Sequence, residues 1–63
     1  MRDINRIPRI LNLLGLIWQK QPDWRLGQLI INSIDDSVSV FFLEDDDLEI
    51  HLKNLLDQLS PPR

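Results

Sequence analysis

At 63 residues the chain is one domain at most, and folding at this size removes only about 60% of the unfolded chain's surface from water. It has no cysteine, which excludes disulfides and thiolate metal sites, and its 43% apolar content is too high for a disordered chain. The net charge of −3 is unevenly placed. Arg2, Arg6, Arg9, Lys20 and Arg25 outweigh Asp3 and Asp23 in residues 1–25, whereas eight acids outweigh Lys53 and Arg63 in residues 26–63.

That asymmetry has two readings. The favoured one is attraction between the two halves inside the fold, and the other is a basic face open to a polyanion. No apolar run reaches the roughly 18 residues that span a bilayer. The opening MRDINRIPRI carries charge where a signal peptide needs its apolar stretch. The expectation is a soluble cytoplasmic protein without membrane contact. Small domains without disulfides are commonly stabilised by a metal or by oligomerisation.

Asp3 or Asn5 can cap a first helix, and Asn5 is favoured because it places Pro8 at the third helical position, where its missing N–H costs nothing. At about 100° per residue, Ile7, Ile10, Leu11, Leu14, Ile17 and Trp18 fall in an arc of roughly 120° and predict the buried stripe. Leu13 lies at its edge, and Leu16 lies opposite. Gln21 precedes Pro22 and is pushed out of the helical region. Asp23 is then a candidate cap for a second helix with Trp24, Arg25 and Leu26 in its first turn. Leu26, Leu29, Ile30, Ser33 and Ile34 share the arc expected to face the first helix. Gly27 costs roughly 1 kcal/mol of helix propensity, for which close backbone approach is the expected compensation. Asp35-Asp36-Ser37 reads as a loop.

Val38 to Leu43, VSVFFL, can be a strand. A lone strand leaves its backbone unpaired, so an extended plug that inserts Val40 and Phe41 or Phe42 between the helices is preferred. A third helix is expected from Glu44 or Asp45, with the acidic triplet Asp45-Asp46-Asp47 favoured by the positive helix start and with Leu43 stapled onto Leu48. Leu48, Leu52, Leu55, Leu56 and Leu59 form its stripe, and Ser60-Pro61-Pro62 stops it. The fold class predicted is all-α, a compact three-helix domain with an extended segment before the last helix and an ordered core of about residues 5–59.

These residues carry a resemblance. Arg2-Asp3, Arg6-Ile7, Ile10-Leu11, the corner I-W-x-x-x-P-D-x-R-L-G-Q-L-I from Ile17 to Ile30, and Phe42 followed by Glu44-Asp45-Asp46 and Leu48-Glu49 resemble a family of short uncharacterised bacterial and phage proteins of the YihD type. The resemblance covers about residues 2–56. It implies a small helical fold, and it implies no activity. Proline at the place of Ile4 in family members implies a cap at Asp3.

No residue pattern points to catalysis, and no cofactor is expected. Asp47 and His51 share one face of the third helix but lack the spacing of an EF-hand or a zinc site, so no metal is expected. His51 has neither a partner nucleophile nor a cleft in view. Arg2, Arg6, Arg9 and Lys20 lie near one side of the first helix and form the alternative, polyanion-binding site. No interleaved aromatic residues support base stacking there, so nucleic acid is not the expected partner. The favoured site is a partner-binding patch of Trp24, Gly27, Gln28 and Ile31, an apolar centre with Arg25, Gln28 and Asn32 as its polar rim. Its occupant is an unidentified protein or, more weakly, a second copy of the chain. The same patch can instead be a second core face, covered by the third helix or by Phe41 and Phe42.

Overall fold

Among the described residues three side chains are fully buried, Ile17, Leu29 and Leu52, and each comes from a different helix. The computed structural model describes residues 2–60. Its elements are α1 (Arg6–Lys20), α2 (Leu26–Ser33), a 3-10 turn (Val40–Phe42) and α3 (Asp45–Leu59), with no strand among the described residues. The fold is all-α.

The α1 helix starts after Asn5, and Pro8 occupies the third helical position. Asn5 makes no side-chain cap. Asp3 does the local work instead: its Oδ1 accepts the Asn5 N–H at 2.9 Å and its carbonyl accepts the Arg6 N–H at 3.3 Å. The helix stops at Gln21, whose N–H is shared between the carbonyls of Ile17 and Trp18.

The α1 face against the core is Ile10, Leu13, Leu14 and Ile17. This corrects the predicted stripe, because Ile7, Leu11 and Trp18 are exposed. The helix is turned so that Arg6 and Arg9 reach the acidic start of α3, with Arg6 Nε 2.7 Å from Asp45 Oδ2 and Arg9 Nε 3.0 Å from Glu49 Oε2. These pairs join the N-terminal ends of both helices, so α1 and α3 run side by side in the same direction. The α2 helix and residues 34–44 bring the chain back between them.

Trp18, placed in the buried stripe by its spacing, is not a core residue. It is 39% exposed, and its indole Nε1–H donates to the Trp24 carbonyl at 2.7 Å. Ile17, one residue earlier, takes the core position. Trp18→Phe should therefore cost about 0.5–1.5 kcal/mol for one hydrogen bond. Trp18→Ala should fall well short of the roughly 3–5 kcal/mol typical of a buried tryptophan. Thermal unfolding checks both; a Trp18→Ala chain that no longer folds would return this ring to the core.

Asp23 does not cap α2. The Trp24 N–H closes a turn onto the Gln21 carbonyl at 3.1 Å, and the helix begins two residues later, after Arg25. This delay leaves Trp24 outside the helix and free to swing onto the core. The Gln28 side chain accepts the Arg25 N–H at 2.9 Å. An arginine has no acceptor to offer in return. Leu29 and Ile30 face the core as expected, but Leu26 is exposed.

The VSVFFL segment forms neither strand nor plug. Residues 40–42 form the 3-10 turn, and Phe41 and Phe42 stand 87% and 78% exposed. Their rings meet edge to face at 5.0 Å between centroids. Only Val38 and Leu43 are half-buried there. The α3 helix follows the predicted stripe: Leu52 and Leu55 are buried, with Leu48, Leu56 and Leu59 packed around them. Asp45, Asp46 and Asp47 occupy its first turn. Pro61, Pro62 and Arg63 lie outside the described residues.

Candidate functional site

The start of α2 builds the most site-like surface. Trp24, held outside the helix by the Gln21–Trp24 turn, packs one side against the core and is half-buried. Gly27, Gln28 and Ile31 lie on the outward side of α2, and all three are exposed. Together with Asn32 these residues line an open depression of about 480 Å³. All four predicted patch residues are thus brought together, with Asn32 on the rim.

Two features shape that depression. Ile31 is 49% exposed and forms one apolar wall. Gly27 forms the floor, and a Cβ added there would meet nothing within 4 Å. The expected close backbone approach at Gly27 is therefore absent among the described residues. The alternative, that α3 or the phenylalanines cover the patch, fails at Gly27, Gln28 and Ile31. It holds in part for Trp24, which belongs to the core's edge as well as to the surface.

The predicted basic face has a different fate. Arg2 Nη2 lies 2.9 Å from Glu44 Oε2. Arg6 binds Asp45, and Arg9 grips Glu49 through two hydrogen bonds, Nε to Oε2 at 3.0 Å and Nη2 to Oε1 at 3.1 Å. Lys20 sits at the other end of α1, roughly 21 Å from Arg6 at 1.5 Å per residue. The four cations do not form one free row. Attraction between the basic and acidic parts of the chain occurs at these three arginines.

Glu49 is the polar group that sequence reasoning missed. It is buried, 8% exposed, one turn into α3 and facing Arg9 of α1. The Arg9 hydrogen bonds hold its carboxyl below the usual 4.5; burial opposes this, and the charges of Arg9 and Lys53 add to it. The Asp45 carboxyl is likewise lowered, mainly by its hydrogen bond from Arg6. The same contacts raise Arg9. A signal was present: Arg6 and Arg9 are three apart and Asp45 and Glu49 four apart, so each pair shares one helix face.

Asp47 is exposed and His51 half-buried. Among the described residues no three metal-ligating side chains gather. No described helix is long and apolar enough to cross a membrane. Fold and surface define the class: a small all-α domain of three helices with a shallow apolar depression on its middle helix. Comparisons with protein-family models, curated proteins and solved structures find no match.

Proposed function

We propose that the chain is a small cytoplasmic protein-interaction module without catalytic activity, docking its partner on the depression of Trp24, Gly27, Gln28 and Ile31. The supporting observation is the bare floor at Gly27 between two apolar walls. A glycine in a helix lowers stability, and no described residue uses the space it leaves. A partner's backbone or a bulky side chain fits there, with Trp24 as the rigid aromatic anchor. The carboxylate partners of Arg2, Arg6 and Arg9 weigh against polyanion binding, since a phosphate would have to displace them. Membership of the YihD-type family, proposed on the corner residues, adds no activity to this reading.

Two substitutions test it with opposite signs. Ile31→Ser changes an exposed side chain, so it should keep the helical signal and lose the partner in affinity capture from native lysate. Gly27→Ala should stabilise the fold, by up to about 1 kcal/mol, yet weaken capture by filling the floor. A partner retained equally by both variants would refute the site, as would an Ile31→Ser chain that unfolds.

A further inference from the structure

We propose that a second copy of this chain covers the outward face of α1, forming a two-fold dimer with the two α1 helices antiparallel and crossing at Leu11. The face shares no residue with the α2 depression, so the two proposals stand or fall separately.

The first observation is the spacing. Ile4, Ile7, Leu11, Leu14 and Trp18 alternate three and four residues apart, the seam that one helix presents to another. Ile10, Leu13 and Ile17 already serve the core, with Leu14 at the border between the faces. Ile4, in the turn leading into α1, is 72% exposed, and Leu11 is 61% exposed; Ile7 and Trp18 are also uncovered. The α1 helix therefore carries two apolar faces, and the described residues cover one of them.

The second observation is charge. Going round α1 beyond the seam, the next residues are Pro8, Gly15, Gln19, Asn12 and Asn5, and none is charged. Arg6, Arg9 and Lys20 all lie outside this arc. In a chain with 27% charged residues, nearly half of one helix's circumference is neutral. A neutral face meets its own copy without like-charge repulsion, as a two-fold contact requires.

The third observation is shape. Positions equidistant from Leu11 pair across the axis, so Ile4 meets Trp18 and Ile7 meets Gly15. Gly15 is in the interior of α1, where glycine is unfavourable, and a Cβ there would touch nothing within 4 Å. The isoleucine of the second copy supplies the missing neighbour.

The chain exposes 5040 Å², whereas a folded monomer of 7.5 kDa exposes roughly 4,200 Å² by the usual size scaling, and the uncovered Ile4, Ile7, Leu11 and Trp18 are part of that large surface.

Sedimentation of the wild-type chain from micromolar to millimolar concentration should show a species of twice 7.5 kDa. Its thermal midpoint should rise with concentration. Leu11→Glu should sediment as the monomer, keep its helical signal and lose the concentration dependence. Because the chain has no cysteine, Leu11→Cys provides a second arm that changes the fold little. Mild oxidation should link two copies through it, while Leu16→Cys, exposed on the opposite side of α1, should stay unlinked. A wild-type chain that remains monomeric throughout overturns the proposal. So does a Leu11→Glu chain that still dimerises, or a Leu16→Cys chain that cross-links instead of Leu11→Cys.

Discussion

Leu52→Ala should leave the chain at the edge of unfolding at room temperature. Leu52 is fully buried and meets Ile17 and Leu29 where the three helices converge. Truncating such a leucine costs about 2–5 kcal/mol, part for lost transfer and part for the cavity. The whole domain, at the usual stability per residue, holds roughly 3–9 kcal/mol. One side chain thus equals a large part of the total, because so few others are buried. Leu52→Met keeps the volume and should cost less than about 1.5 kcal/mol. Ile50→Ala, two residues away and exposed, should cost little. Urea midpoints at one fixed protein concentration order the three variants; a Leu52→Ala midpoint close to wild type would place the core elsewhere.

The same scarcity explains what could be read in the residues. The α3 helix was legible because its leucines occupy one face and its other positions, Ile50 excepted, are polar, so a single rotation buries them. The end of α1 was legible from Gln21-Pro22, whose stereochemistry leaves little choice. The rotation of α1 was not legible. Its apolar residues spread over both Ile7-Leu11-Trp18 and Ile10-Leu13-Ile17, and hydrophobicity does not rank the two sets. The Arg6–Asp45 and Arg9–Glu49 pairs select the second set, and they depend on residues some 40 positions apart. Phe41 and Phe42 were misplaced for a related reason. Apolar character predicts burial only where there is volume to fill, and Val38 and Leu43 take the half-buried places in this connector. The depression on α2 was legible as a set of residues, since Trp24, Gly27 and Ile31 fall at helical spacing. That Trp24 precedes the helix and also touches the core depends on the Gln21–Trp24 turn, which Asp23 as an attractive cap concealed.

Acid should destabilise the chain through Glu49 and Asp45. Both carboxyls lie below their usual 4.5 and 3.8 in the folded chain, chiefly because Arg9 and Arg6 donate hydrogen bonds to their charged forms. In the unfolded chain they return to ordinary values, so near those values the unfolded state binds more protons. Stability then rises with pH. The contribution is fully present above about pH 5, and it is lost as pH falls through the lowered folded values. The thermal midpoint should accordingly be level from neutral pH to about pH 5 and fall steadily below it. Glu49→Gln removes the charge that Arg9 binds, so it should lower the midpoint at neutral pH. The gap between Glu49→Gln and wild type should narrow as the pH drops, since wild-type Glu49 is then protonated too. Glu44→Gln is the control: its ion pair with Arg2 is solvent-exposed, and such pairs contribute little, so its effect should be small at every pH. Added salt should weaken the Arg2–Glu44 pair more than the Arg9–Glu49 pair, because screening acts most strongly on exposed charges. If the gap between Glu49→Gln and wild type stayed constant down to about pH 2, ionisation of Glu49 would not be its cause, and the α1–α3 contact would owe its acid sensitivity to another group.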